Sequence, residues 1–317
     1  MSFTNEDLEG IIRNLFPTTE YSQLVFEEGK SLLASNSRSA TLKAKDGTIR
    51  NLHLKLCEED SSAGYLNQKV KTHEKESFFH SELLPKLIAF YEEHKTKSNI
   101  LDIDLKSLFV GFHGSETVEG KGGVIVLDRF SPEEYFVGEL EEFYTLQQVH
   151  YCLKSIAAFH ATSYTMKQKD GFIWMDQSPL MQHLLFHQTN WDIIHMYLSL
   201  LFQGNMKILE AVKKETSKQN SLIGDECAAK FGSLSPNSFG RLQWVAKNLP
   251  AILLKTLDCP SDLSIVLHGD FQMWNIAFAK GNNNNDQIHA KFFDFQMTCA
   301  SSGWPAVLEI LESWKSP

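Results

Sequence analysis

Ser264–Phe278 reads SIVLHGDFQMWNIAF and, beyond the asparagine run Asn282–Asn285, Lys291–Gln296 reads KFFDFQ. Ser264–Leu267 is short, apolar and β-branched, which suits a buried strand, and it gives way abruptly to His268-Gly269-Asp270. A polar loop therefore opens at a strand end. Asn275 leads into the apolar Ile276-Ala277-Phe278, a Gly/Asn-rich stretch follows, and Ile288–Phe293 runs up to Asp294. Apolar run, turn residues and apolar run predict a hairpin. If Asn275 and Asp294 face each other across it, the midpoint falls inside the asparagine run, where the turn is needed. An antiparallel return would bring both beside the loop carrying Asp270.

Two carboxylates and an amide then converge. Such a set meets the needs of phosphoryl transfer from a nucleotide: hard oxygen ligands for Mg²⁺ and a carboxylate to accept a hydroxyl proton. Asp270 is the candidate base, and Asn275 and Asp294 the candidate metal ligands, which would hold the ion against the phosphates as charge develops.

HGDFQMWN resembles the HGDxxxxN catalytic loop of the choline kinase and aminoglycoside phosphotransferase superfamily, and DFQ stands where protein kinases have DFG. Within that superfamily the chain is most similar to the CHK kinase-like group, which includes the ecdysteroid kinase-like proteins. The resemblance implies an α+β, bilobal protein-kinase-like fold. Residues 1–127 would form a small β-rich N-terminal lobe, with a nucleotide-covering sheet and a helix. Residues 128–131 would be a hinge, and 132–317 a larger helical C-terminal lobe with the catalytic loop and substrate helices. ATP and Mg²⁺ would be the cofactors. The implied reaction moves a phosphoryl group to the hydroxyl of a small molecule, a choline-like or ecdysteroid-like alcohol.

Upstream patches follow in the matching order. Asn51–Cys57 alternates, setting Leu52, Leu54 and Leu56 on one face and His53 and Lys55 on the other. Lys55 is the candidate phosphate lysine, and a solvated strand lysine is the alternative. In a helix over Val70–Leu84, HEKESFFHSELLP is similar to the family's ExxFYxxLLP, with Glu76 at the position of the lysine's partner and His80 in place of Tyr. VLDRFSPEEY is similar to VLEDLSPxGY, the linker whose backbone holds adenine. Asp128 and Arg129 fall on its Glu and Asp, so the first acid is shortened and the second reversed in charge. AAFHATS, at the end of an amphipathic helix over Thr145–Ser163, is similar to LAxFHAxS. Leu146, Val149, Leu153, Ile156, Ala157 and His160 lie on or near one face of that helix, and His160 is either a support for the catalytic loop or a plain core histidine.

The remaining stretches carry less. Thr4 caps a helix bearing Leu8, Ile11, Ile12 and Leu15, ended by Pro17. Lys45-Asp46-Gly47-Thr48 predicts a hairpin turn, and Gly111–Gly123 a hairpin turn between strands. Gly29–Arg38 is the candidate phosphate-covering loop, with a single glycine. It is no Walker A loop, since Leu24 stands where that motif needs Gly. His183 and His187 have metal-ligand spacing, but Leu184 replaces the glutamate of HExxH. Trp174, Trp191, Tyr197 and Phe202 read as helix core, Lys214–Asn237 as a loop, and Leu242–Leu257 as a helix.

With 317 residues and 43% of them hydrophobic the chain can bury a full core. Its net charge of −9 comes with no basic stripe, which argues against nucleic acid as a partner. The five cysteines, Cys57, Cys152, Cys227, Cys259 and Cys299, form no CxxC pair and read as reduced thiols. The acidic start MSFTNEDLEG is unlike a signal peptide, and no stretch approaches the roughly 18 apolar residues of a membrane span. A cytoplasmic location is expected. Downstream, Trp304–Pro317 stands where the family has PxxDLxxFL and further helices, with Leu308 at the Asp, so a truncated C-terminus is expected. The alternative function is therefore a catalytically impaired nucleotide-binding pseudokinase or interaction module. A protein kinase fits less well: HGD replaces HRD, DFQ replaces DFG, and no APE-like segment follows.

Overall fold

A computed structural model describes residues 2–28, 36–60, 64–95, 103–137, 145–182, 264–280 and 288–301, with the single positions 190, 244 and 248. Leu52, Leu54 and Leu56 lie on one face of strand β3 (Ile49–Glu58), and Lys55 on the other. β3 is the centre of a five-stranded antiparallel sheet with β1 (Tyr21–Glu28), β2 (Asn36–Ala44), β4 (Phe112–Val118) and β5 (Gly122–Asp128), in the order β1-β2-β3-β5-β4. The Lys45–Thr48 turn closes β2 onto β3, Ala44 N–H donating to Thr48 O at 2.8 Å. β4 corrects the expected turn at Gly111–Gly123. Most of that glycine-bearing stretch pairs with β5, leaving a tight turn after Val118.

Both faces of the sheet are covered, which is why Gly123–Leu127 is an unbroken apolar run rather than an alternating one. On the leucine face lies α1 (Asn5–Leu15), started by a Thr4/Asp7 capping box and packing Leu8, Ile11 and Ile12 against Leu42, Leu52, Leu54 and Val126. On the Lys55 face lies the helical stretch that carries Glu76. It begins after α2 (Gly64–Val70) as α3 (Thr72–Phe78), widens into one π turn (Phe79–Leu83), and continues as α4 (Leu84–His94). The expected end at Leu84-Pro85 is therefore overturned. In the π turn Leu84 N–H reaches back to Phe79 O, and a loosened turn is where a proline, lacking an N–H, is accommodated.

His80 sits in that turn, stacked on Phe112 (centroids 5.3 Å apart) and edge-on to Phe79 and Phe295. Neither of its ring nitrogens has a hydrogen-bond partner among the described residues, and burial pushes its pKa down to about 3. The folded state thus holds the ring neutral, whereas the unfolded chain protonates near the ordinary value of 6.5. Its contribution is fully present above pH 6.5 and is lost as pH falls toward the folded value. His80→Phe is expected to remove up to about 3 kcal/mol of acid sensitivity, read as a smaller fall in urea-unfolding free energy between about pH 7 and pH 4. An unchanged pH dependence would contradict this.

The second half of the site rests on α5 (Leu146–Asp170), capped by Thr145 with Gln148 and ended by Gly171 at φ 68°. Its inward face corrects the expected one. Leu146 (84% exposed) and Leu153 (60%) point outward, while Cys152, Ser155, Ala158, Phe159, Thr162 and Ser163 are buried. Two of the inward hydroxyls are satisfied on the helix itself: Thr162 Oγ1 donates to Ala158 O at 2.8 Å and Ser163 Oγ to His160 O at 2.9 Å. β7 (Ile265–Leu267) follows the expected opening strand. β8 (Ile276–Ala279) and β9 (Ala290–Phe292) form the expected hairpin, with β6 (Tyr135–Val137) on its outer edge. Trp174 is buried in the core, edge-on to Phe172.

The chain forms two compact units, residues 1–182 with 263–300, and 183–262 with 301–317. The first holds everything described above. In the second, Asn248 donates to Trp244 O at 2.7 Å. His183, His187, Trp191, Tyr197, Phe202, the Lys214–Asn237 loop and most of Leu242–Leu257 lie outside the described residues, as does 302–317.

Candidate active site

Lys55 and Glu76 meet because α3 lies unusually close to the sheet. The His73 ring occupies the space that a side chain at Gly123 would fill, its Cδ2 only 2.3 Å from an ideal Cβ there. At that spacing Lys55 Nζ reaches Glu76 Oε2 at 2.5 Å and Asp294 Oδ1 at 2.5 Å. Burial opposes the ammonium charge, but Asp294 and Glu76 outweigh it and hold Lys55 protonated well above the usual lysine range. Burial likewise pushes the Glu76 carboxyl up, and the Lys55 ammonium pulls it back. Glu76 is fully buried, so this lysine is its counter-charge, not a solvated strand residue.

Asp294 arrives by way of the hairpin. The register pairs Ile276 with Phe292 and places Phe293 opposite Asn275, Phe293 N–H donating to Asn275 O at 3.2 Å. The facing residue is thus one position earlier than expected. Asp294 leaves the ladder in the left-handed region (φ 67°), which turns its carboxylate toward Lys55. Phe295 then packs face to face on Phe79, centroids 3.8 Å apart, pinning the loop to the π turn.

The Asp270 loop is held to the Asp294 loop by His268. Asp270 N–H donates to His268 Nδ1 at 3.3 Å, so the ring's proton is on Nε2, which donates to Phe293 O at 3.0 Å. Burial lowers the His268 pKa to about 4, keeping the ring in that neutral form. Gly269 between them has φ 86°, and a Cβ there would lie 2.0 Å from Met297 O. Gly269→Ala is expected to destabilise the fold by at least about 1–2 kcal/mol from the left-handed backbone alone, with further loss from the overlap. A thermal midpoint indistinguishable from wild type would contradict the close approach.

Asn275 Nδ2 donates to Asp270 O at 2.8 Å and to Asp270 Oδ2 at 3.1 Å, and Gln272 Nε2 donates to the same Oδ2 at 2.8 Å. Burial, then the Asp294 charge, raises the pKa of Asp270. With both amide hydrogens of Asn275 spent on Asp270, its oxygen is the end free to bind a cation. That oxygen and the Asp294 carboxylate are hard donors suited to Mg²⁺, which takes few protein ligands and completes its shell with phosphate oxygens and water. Among the described residues no group of three or more His, Cys, Asp or Glu forms a self-sufficient metal site.

Not every expected residue joins this cluster. The side chain of Asp128 accepts from His113 Nε2 at 2.7 Å, and Arg129 Nη1 pairs with Glu27 at 2.9 Å. Their backbone N–H groups are also occupied, Asp128's by Gly111 O at 2.8 Å and Arg129's by Asn51 O at 2.9 Å. Residues 29–35 of the candidate covering loop lie outside the described residues, although β1 and β2 pair up to Glu28 and Arg38 on either side of it. At His160, burial lowers the pKa to about 4, but the hydrogen bond to β7 is made by Ser163, whose Oγ accepts from Val266 N at 3.1 Å. No motif points to Lys75 either. Its buried ammonium donates to Gln182 O at 2.6 Å and Thr298 O at 2.7 Å, tying the Glu76 helix to the segment after Asp294, and burial lowers its pKa to about 8. The one advance signal for these residues is their position beside a motif residue.

An antiparallel sheet with a lysine on its central strand, and on that lysine both a helix glutamate and an aspartate from a distant loop, is consistent with a kinase-like fold. The family comparison gives the same answer: the model of the ecdysteroid kinase-like family matches residues 36–304, and the chain belongs to that family. A comparison with curated proteins found no match.

Proposed function

We propose that this chain is an ATP-dependent phosphotransferase acting on the hydroxyl of a small molecule. The observation that carries the reading is the placement of Lys55 within 2.5 Å of both Glu76 and Asp294. A lysine so paired is fixed as a cation for nucleotide phosphates, and Asp294 is turned to the same place. Asp270, Asn275 and Asp294 are the catalytic set. Asn275 and Asp294 would hold Mg²⁺, which supplies charge neutralisation on the phosphate oxygens. Residues 128–131 would be the hinge between lobes 1–127 and 132–317. Adenine there would be held by the backbone near Asp128 and Arg129, through groups other than their two occupied N–H donors.

The acceptor O–H would give its proton to Asp270 while its oxygen bonds to the terminal phosphorus. The bond from that phosphorus to the bridging oxygen would break, its electron pair leaving on ADP. Membership in an ecdysteroid kinase-like family makes a steroid-like alcohol the first acceptor to try, and a choline-like alcohol the second. A cytoplasmic setting is supported by free thiols at Cys57, Cys152 and Cys299. Among the described residues no helix is long and apolar enough to cross a membrane. The test is Mg-ATP consumption by the purified chain against a panel of such alcohols. Acceptor-dependent ADP formation is expected, and a flat response across the panel would count against the reading.

A further inference from the structure

The tripeptide Asp-Phe-Gln occurs twice, as Asp270-Phe271-Gln272 and as Asp294-Phe295-Gln296, once in each loop of the site. The two copies are built alike. Each phenylalanine turns into the protein: Phe271 packs edge-on to Phe292 with centroids 4.9 Å apart, and Phe295 lies against Phe79 and His268 at 3.8 and 4.2 Å. With the middle residue anchored, the flanking aspartate and glutamine are left side by side, and in both copies the amide returns to its own carboxylate. Gln272 Nε2 lies 2.8 Å from Asp270 Oδ2, and Gln296 Nε2 lies 3.5 Å from Asp294 Oδ2. The first contact is the firm one, and in its loop both side-chain donors, from Gln272 and Asn275, fall on the same oxygen.

We infer that Gln272 is a positioning residue for Asp270, its amide locking the carboxylate so that Oδ1 is the oxygen presented to the acceptor hydroxyl. The inference rests on the proposed reading of Asp270 as the base. Asn275 does not suffice alone, because its other end is assigned to the metal and its 3.1 Å bond to Oδ2 is the longer of the two. Without Gln272 the carboxylate rotates about its last bond, and a misplacement of about 1 Å at a reacting group costs up to about 10²-fold in rate. The backbone of the loop does not depend on this side chain. Gln272 contributes its main-chain oxygen to the turn, accepting from Asn275 N–H at 2.9 Å, and any residue supplies that.

The test compares wild type, Gln272→Met, Gln272→Glu, Asp270→Asn and the Asp270→Asn/Gln272→Met double variant, following ADP formation from Mg-ATP with the alcohol panel. Methionine keeps the length and removes the donor, so kcat is expected to fall about 10–100-fold with the KM for Mg-ATP and the thermal midpoint unchanged. Glutamate puts an acceptor against an acceptor and is expected to lose more. In the Asp270→Asn background, Gln272→Met is expected to change nothing further, because the residue it positions is already disabled. Wild-type kcat in Gln272→Met overturns the inference, and so does a parallel fall in kcat, nucleotide affinity and stability. An Asp270→Asn variant that turns over like wild type removes Asp270 from the base role, a wild-type chain that does not turn over defeats the phosphotransferase reading, and the inference falls with either.

Discussion

Asp270→Asn is expected to lower the rate of phosphoryl transfer by about 10²–10⁴-fold, the usual contribution of a positioned general base. The substitution is nearly isosteric. Both side-chain hydrogen bonds, from Gln272 and Asn275, fall on Oδ2, which the amide oxygen of the variant can still supply, and the main-chain bonds to His268 and Asn275 do not involve the side chain. What is lost is an oxygen able to take a proton. Nucleotide binding should therefore survive: Mg-ATP should raise the thermal midpoint of the variant as much as that of wild type, because stabilisation by a ligand depends only on its affinity for the folded state. Turnover surviving the substitution would remove Asp270 from the base role. If Mg-ATP instead stabilises the wild-type chain without any turnover, the nucleotide-binding pseudokinase reading is the better one.

The second large effect concerns the buried ion pair. Lys55→Met should cost about 3–5 kcal/mol of stability, the typical result of removing one partner of a buried pair and leaving the other charge uncompensated. Glu76 is 0% exposed, and Lys55 is its salt-bridge partner, so the orphaned carboxyl has no route to solvent. The double substitution Lys55→Met/Glu76→Met replaces both charges with apolar groups of similar length and should recover most of that loss. Recovered stability should come without recovered Mg-ATP binding. Urea unfolding of the two variants and a nucleotide thermal-shift titration separate these outcomes. A single variant as stable as wild type would mean that Lys55 and Glu76 do not depend on one another.

The features legible in the sequence are those carried by short-range pattern. Alternation along Asn51–Cys57 separates Lys55 from the leucine face, and the Thr4 cap and the Lys45–Thr48 turn follow from local backbone chemistry. The hairpin is legible because apolar runs flank turn residues, but spacing alone sets its register one residue late. It keeps Asp294 in the strand, whereas a left-handed φ has already carried that residue out of the ladder. The inward face of α5 escapes the pattern for a different reason. Hydrophobicity marks a buried face only where large side chains fill the space, and here serines and threonines allow the helix and β7 to approach, as the Ser163–Val266 bond shows. The π turn is masked by Pro85, which normally ends a helix. The bonds of His268 to Phe293 O and of Lys75 to Gln182 O and Thr298 O depend on tertiary placement, which no spacing in one sequence encodes.

The most direct test follows a label from the terminal phosphate of ATP, in the presence of Mg²⁺ and the steroid-like and choline-like alcohols, with wild type and Asp270→Asn side by side. The proposed function requires label on an alcohol with wild type and essentially none with Asp270→Asn. Label that stays on ATP with wild type, or moves equally well in both, would contradict it.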